Sequence, residues 1–173
     1  MPVLILILLL AAPVFDNVEF HKVANTTTDV LVEETIALPF VPSTLNVNEE
    51  EERGMLELVN KERRAAGLNE LVMDEGLVKV ARLHSLDMWQ RQYFAHENLD
   101  GESPFDRMEE GDVDFRRAGE NLALARTLKR AHVGLMNSPG HRRNILDPSF
   151  NRIGIGVIDG GLYGKMFTQN FAD

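Results

Sequence analysis

The feature of this sequence that most restricts its fold is a single change of hydrophobic period in its last quarter. Over residues 49–146, apolar residues recur every three or four positions, which predicts helices. After that they alternate with glycine and other residues, and two such runs, 153–158 and 163–171, flank a turn-forming segment at 159–161. This second part predicts an antiparallel hairpin. Helices that precede strands, rather than alternating with them, indicate an α+β fold.

Four helices and one short helical turn are predicted before the hairpin. The first helix covers residues 49–66, and the second begins after Asp74 as its N-cap. The second helix has the clearest pattern, because one face carries Leu77, Val80, Ala81, His84 and Met88. A capping box with a proline at the first helical position predicts a third helix at 103–111. The fourth helix covers 127–137, and the short turn covers 138–146.

The net charge of the chain is −9, from 18 basic and 27 acidic residues, and it is unevenly distributed. Residues 16–52 carry nine acidic side chains against one lysine, whereas residues 53–173 carry 18 acidic and 17 basic side chains. The predicted domain therefore lacks the basic surface that nucleic-acid binding requires, so we expect no nucleic-acid partner. Because the chain has no cysteine, disulfides and cysteine-ligated zinc are excluded, and only His, Asp and Glu remain as metal ligands.

These patterns divide the chain into three parts. Residues 1–15 are an apolar, signal-like segment or the remnant of a membrane anchor, residues 16–52 are an acidic linker, and residues 53–173 are the folded domain. The apolar run at 3–12 has the length of a secretory signal core and is shorter than the about 20 residues that span a bilayer. No Lys or Arg precedes it. We expect an extracellular or envelope-attached protein, with a buried strand as the alternative for this run.

Four residues are candidates for a functional site. His96 and His141 follow chain reversals, where binding groups concentrate, and Glu120 could add a carboxylate. His141 lies at the third position of its predicted helical turn, where the helix dipole disfavours a protonated ring. A neutral imidazole can bind a metal or accept a proton. Their positions are compatible with one shared site of His96, Glu120 and His141, but spacing alone is a weak signal. The alternative is two capping histidines and a carboxylate bound to backbone, with the helix-face His84 as a core residue.

Several short motifs follow one another between Met55 and Phe171. They include Leu58-Val59-Asn60, Phe94-Ala95-His96, Gly119-Glu120-Asn121-Leu122-Ala123, Asn137-Ser138-Pro139-Gly140-His141-Arg142, Ile153-Gly154-Ile155-Gly156 and Phe167-Thr168-Gln169-Asn170-Phe171. In this order the chain resembles the CAP superfamily of cysteine-rich secretory proteins, antigen five and pathogenesis-related proteins, in its bacterial secreted form. The resemblance implies a three-layer α-β-α sandwich with a central antiparallel sheet.

The resemblance also implies a solvent-open groove in which two His and two Glu residues hold a divalent metal, with zinc as the expected ion. Carried over by motif, the metal ligands are His96, Glu120 and His141, and His84 is a further candidate for ligand binding. The chain departs from the family pattern at the second Glu, because no acidic residue lies between Glu120 and His141.

We expect a secreted or membrane-anchored binding module whose partner is a small-molecule, lipid or cell-envelope ligand. The alternative is a metal-dependent hydrolase that uses the same cleft. The sequence contains no Gly-x-Ser-x-Gly elbow, phosphate-binding loop or His-Glu-x-x-His pair, so it points to no established catalytic apparatus. Binding is therefore favoured, and catalytic activity is left open.

Overall fold

The computed structural model of the chain describes residues 35–173. The predicted segment 1–15 and the first part of the predicted linker, 16–34, lie outside the described residues. The helices are α1 (Glu49–Ala65), α2 (Glu75–Gln90), α3 (Pro104–Glu110), α4 (Leu128–Asn137) and α5 (Pro139–Ile145). The strands are β1 (Ile36–Ala37), β2 (Asn46–Val47), β3 (Val72–Met73), β4 (Tyr93–Phe94), β5 (Ala118–Ala125), β6 (Arg152–Asp159) and β7 (Lys165–Ala172).

The central sheet is built on the predicted hairpin. Strands β6 and β7 pair antiparallel over eight residues each, and β5 pairs antiparallel with the outer side of β7. The short strands β2 and β3 both pair with β6, β2 antiparallel and β3 parallel. Strand β5 therefore forms one edge of the sheet, opposite the edge formed by β2 and β3.

The two faces of this sheet are covered by different helices. Ile153, Ile155 and Val157 of β6 belong to one apolar cluster with residues of α1, α4 and α5. Because side chains alternate along a strand, the intervening positions of β6 face α2 and α3 on the other side. The result is a three-layer α-β-α sandwich, and it confirms the predicted α+β class.

Two glycines of β6 allow α2 to lie directly on the sheet. A Cβ atom on Gly154 would come within 2.1 Å of the Leu77 carbonyl carbon, and one on Gly156 within 2.3 Å of the Ala81 carbonyl carbon. These distances are too short for any side chain. The alternation of glycine with isoleucine and valine therefore sets the depth at which α2 packs.

The local signals for helix starts are confirmed. The Asp74 side chain accepts a hydrogen bond from the Leu77 backbone N–H, and Ser103 and Asp106 form a reciprocal capping box at α3. The predicted apolar face of α2 is buried, including His84. Among residues 35–173, no helix is long and apolar enough to cross a membrane.

Residues 35–48 pack against the domain, although the sequence analysis assigned them to the linker. Strand β1 pairs with β4, and β2 pairs with β6. Leu38 is buried and its backbone N–H donates to the Gln92 carbonyl oxygen at 2.8 Å. These strands have only two residues each, too few to show an alternating pattern in the sequence.

Candidate functional site

The candidate site is centred on Glu120, the third residue of the edge strand β5. The neighbouring residue across the sheet is Asn170 of β7. Asn170 is in turn opposite Gly154, which contacts α2, so Glu120 lies on the α2 side of the sheet. Its carboxylate is buried beneath α2, α3 and the loop that follows β4.

Three side chains surround this carboxylate. His96 donates from Nδ1 to Glu120 Oε1 at 2.8 Å, and Arg107 of α3 donates from Nη2 to Oε2 at 3.0 Å. His84 Nε2 lies 3.9 Å from Oε1. The Arg107 guanidinium also donates from Nη1 to the Glu102 carbonyl oxygen at 2.8 Å, which fixes its position. The structure thus brings His96, Glu120 and His84 together, as the sequence predicted for the first two.

The surroundings of Glu120 keep its carboxylate ionised. Burial alone raises the pKa of a carboxyl group, but the hydrogen bond from His96 and the positive charge of Arg107 together lower the pKa of Glu120 below its usual value. A carboxylate with a lowered pKa that accepts bonds at both oxygens is a weak proton acceptor. Glu120 is therefore suited to hold neighbouring groups in place rather than to act as a general base.

His84 is a buried core residue that also lies next to Glu120. Its Nε2 atom donates to the Ala95 carbonyl oxygen at 3.0 Å, so Nε2 carries the ring proton. Burial lowers the pKa of His84, since its charged form would lose solvation. The neutral ring then leaves Nδ1 as an acceptor, and Nδ1 has no hydrogen-bond partner among residues 35–173.

His141 lies on α5, a helix that packs on the other face of the sheet through Ile145. His141 is the third residue of α5, and its carbonyl oxygen accepts a hydrogen bond from Asn121 Nδ2 at 3.1 Å. Asn144 fixes the same helix to the strand edge, because it donates to the Glu120 carbonyl oxygen at 3.1 Å. The helix that carries His141 is therefore fixed to the strand edge that carries Glu120.

The His141 ring has no hydrogen-bond partner in the described part of the chain, at either nitrogen, although it is 0% exposed. Burial, and secondarily the nearby charge of His96, lower the pKa of His141 to about 4. The ring is therefore neutral at neutral pH, as predicted, and it offers one donor and one acceptor. A buried polar group without a partner is costly, so this arrangement calls for an explanation.

The predicted solvent-open groove is wrong for the side chains themselves. His96, Glu120, His141 and His84 are all buried, with exposures between 0% and 7%. The cause is the pairing of charges: Arg107 and His96 close over Glu120 and shield it from water. The four groups form a buried polar cluster at the β5 edge.

The predicted zinc ligands are not arranged as a metal site in this structure. Within residues 35–173, no group of three or more His, Asp or Glu side chains could hold a metal ion. Both oxygens of Glu120 accept hydrogen bonds, from His96 and from Arg107. The residues present do not fit the family's metal group as they stand, and zinc uptake stays a prediction.

Sequence reasoning missed the partners that complete this cluster. The sequence analysis assigned no role to Arg107. Its position one turn after the Ser103 cap could have indicated that it faces the sheet. Asn170 is fully buried, and neither its side-chain oxygen nor its nitrogen has a partner among the described residues. Gln169 points to the α5 side, where its Oε1 accepts from Asn121 Nδ2 at 3.0 Å.

Curated proteins of bacterial origin are similar to most of this chain. YkwD of Bacillus subtilis is 39% identical over 140 residues, which cover 80% of this chain and 52% of YkwD. The membrane protein YlbC of the same species is 40% identical over 121 residues, which cover 69% of this chain and 34% of YlbC. The chain thus spans about half or less of these two relatives.

Solved structures share the fold. An extracellular protein of Bacillus anthracis that contains an SCP domain superposes with a TM-score of 0.64 at 34% identity, over 72% of this chain and 40% of that protein. An outer surface protein of Borrelia burgdorferi superposes with a TM-score of 0.70 at 23% identity, over 75% of this chain and 98% of that protein. The model of the cysteine-rich secretory protein (CAP) family matches residues 56–171, about two thirds of the sequence. The chain therefore belongs to the cysteine-rich secretory protein (CAP) family.

Proposed function

We propose that this protein is an extracellular or envelope-attached binding module, and that its ligand is a small-molecule, lipid or cell-envelope component held at the β5 edge by His96, Glu120, His141 and His84. The location is supported by the relatives, which include an extracellular, an outer surface and a membrane protein. The observation that carries the ligand site is His141, a buried neutral ring with two unused hydrogen-bonding nitrogens.

Binding accounts for these features better than proton transfer does. His96 is oriented by Glu120, and Glu120 is itself held by Arg107, so this half of the cluster is rigid. A rigid site with fixed proton positions reduces the entropy lost on binding. Glu120 has a lowered pKa and no unused oxygen, whereas a general base needs a carboxylate that can reach and accept a proton.

The test is a co-sedimentation assay with isolated cell envelopes of Bacillus subtilis, performed after dialysis against a chelator and again with added zinc. We expect the wild-type protein to sediment and His141→Gln to lose at least tenfold in affinity. His132→Gln is the matched control, since His132 is also a buried helix histidine but lies on α4, near Glu62. Equal sedimentation of both variants would refute the proposed site.

The assay with added zinc distinguishes the binding module from the metal-dependent hydrolase. A binding module sediments equally with and without zinc and releases no soluble fragments from the envelopes. Zinc-dependent release of fragments, lost in His96→Ala and His141→Ala, would instead establish the hydrolase and overturn the binding module.

A further inference from the structure

A pocket next to the cluster at the β5 edge lies between α2 and α3, and it shares His84 and Arg107 with that cluster. We name it the α2–α3 pocket. One wall is a stripe of α2, formed by Val80, Leu83, Asp87 and Gln90, whose spacings of three, four and three residues place them on one face. The opposite wall comes from α3, with Arg107 and Glu110, and the loop at 98–102 contributes further lining.

The size of this pocket suits a small ligand. Its volume is about 420 Å³, within the roughly 300–1,000 Å³ of typical ligand pockets. Gly111, directly after α3, bounds it, because a Cβ there would come within 2.6 Å of Val80 Cγ2. The two helices therefore touch at Gly111 and diverge from there to leave the cavity.

Two buried polar groups line the pocket without using all their hydrogen-bonding capacity. His84 and Arg107 both line it, and both side chains are at least nine-tenths buried. Among residues 35–173, neither His84 Nδ1 nor Arg107 Nε has a hydrogen-bond partner. His84 Nδ1 is an acceptor, because Nε2 carries the proton, and Arg107 Nε–H is a donor. A group that both donates and accepts, such as a hydroxyl, matches this pair.

The charge of the lining argues against an anionic ligand. Two cations, Lys79 and Arg107, stand against the four carboxylates Asp87, Asp100, Glu102 and Glu110, a balance of 2 − 4 = −2. Some of these carboxylates already have partners: Tyr93 donates to Asp87 at 2.5 Å, and Arg91 pairs with Asp100. The remaining field is weakly negative, so it favours uncharged molecules over phosphates and other anions.

The α2 stripe adds an apolar surface next to the polar groups. Leu83 is 56% exposed, and Val80 and Leu86 lie beside it in the lining. A pyranose ring presents C–H groups on its faces and hydroxyls around its rim. The aliphatic side chains beside the Gln90 amide match this combination.

We propose that the α2–α3 pocket binds an uncharged saccharide, whose hydroxyls donate to His84 Nδ1 and accept from Arg107 Nε–H while its ring lies against Leu83. The pocket shares His84 with the ligand site proposed at the β5 edge, but its lining does not include His141. A change at His84 without a change at His141 therefore distinguishes the two proposals.

The test uses the nitrogen resonances of the histidine rings in the full chain. The probe is N,N′-diacetylchitobiose, an uncharged disaccharide, with glucose 6-phosphate as the anionic comparison. We expect the disaccharide to shift the His84 Nδ1 resonance by hydrogen bonding and to leave His141 unchanged, and the phosphate to shift neither. No shift of His84 at millimolar disaccharide would overturn the proposal, and so would a shift of His141 alone.

A pair of surface variants supplies the control. Leu83→Glu removes the aliphatic contact and adds a carboxylate to the pocket, and we expect it to weaken disaccharide binding at least tenfold. Val133→Glu makes a comparable change at an exposed position of α4, where Val133 is 46% exposed, and should bind like the wild type. Circular dichroism checks that both variants are folded. Equal affinity of the two variants would refute the pocket as the binding site.

Discussion

His96 and Glu120 are joined by a 2.8 Å hydrogen bond from Nδ1 to Oε1, and this bond connects the loop after β4 to the edge strand of the sheet. Arg107 holds the other carboxylate oxygen from α3. The single buried carboxylate of Glu120 thereby fixes both the loop after β4 and the short helix α3. The position of the polar cluster depends on it.

Glu120→Gln should reduce the free energy of unfolding by about 3–5 kcal/mol. The substitution keeps the size of the side chain but removes its charge, which leaves the Arg107 guanidinium buried without a counter-ion. Urea denaturation, followed by fluorescence of the single tryptophan Trp89, measures the change.

The control for this prediction is Glu70→Gln. Glu70 also pairs with an arginine, Arg64, but both side chains are more than half exposed. Exposed ion pairs contribute little, so this variant should stay within about 1 kcal/mol of the wild type. Similar losses for the two variants would show that burial of the Glu120 charge is unimportant.

Gly154→Ala should destabilise the protein by about 3 kcal/mol or more. The added Cβ would meet the backbone of Leu77 at 2.1 Å, and α2 can avoid the collision only by moving away from the sheet. Differential scanning calorimetry of the variant measures the loss as a fall in melting temperature.

Gly54→Ala is the matched control, because it adds the same methyl group at another crowded glycine. There the nearest atom is Leu128 Cδ2 at 2.8 Å, the end of a flexible side chain that can rotate away. Alanine also favours the middle of α1 by up to about 1 kcal/mol over glycine. We expect a melting temperature near that of the wild type. A comparable fall in both variants would contradict the proposed role of β6 glycines.

The parts of the fold that the sequence predicted are those with long, regular patterns. The apolar face of α2 and the β6–β7 hairpin each extend over eight residues or more. The predicted face of α2 is buried, and the alternation of glycine with isoleucine and valine identified β6 although both of its faces are buried. Strand β5 was not predicted from its pattern. All but its first residue are buried, so no alternation with polar residues distinguishes it from other buried segments.

The candidate site was predicted only in part, for a physical reason. The motif resemblance identified His96, Glu120 and His141, but a linear sequence does not show which face of β5 each group approaches. Alternation along β5 and β7 puts Glu120 on the α2 side, and it puts the residues next to His141 on the other. Arg107, which donates to the second oxygen of Glu120, lies on α3, and the packing of α3 depends on the assembled sheet.

His141 should make stability depend on pH between about 6.5 and 4. Its ring has a pKa of about 4 in the folded protein and near 6.5 when unfolded, so the unfolded state binds the proton first as the pH falls. Stability is therefore unaffected above pH 6.5 and falls by about 3 kcal/mol as the pH drops to 4. Urea denaturation from pH 7 to pH 4.5 measures most of this loss.

The comparison for this prediction is His141→Gln, which cannot titrate in this range. We expect its free energy of unfolding to fall less steeply below pH 6.5, while the contributions of His84 and His132 remain in both proteins. Parallel curves for the wild type and His141→Gln would show that the folded His141 ring protonates at an ordinary pH.

Arg63→Lys should cost about 3 kcal/mol or more, even though it keeps the positive charge. The buried Arg63 guanidinium donates to four backbone carbonyl oxygens at 2.7–3.1 Å, those of Asn69, Ile145, Asp147 and Phe150, and so joins the end of α1 to the segment between α5 and β6. A lysine ammonium cannot reproduce this planar set of donors, and it leaves buried carbonyls without partners. Arg64→Lys, at an exposed neighbour, should stay within about 0.5 kcal/mol of the wild type in urea denaturation. Equal stability of the two variants would mean that the charge of Arg63, rather than its geometry, holds this segment.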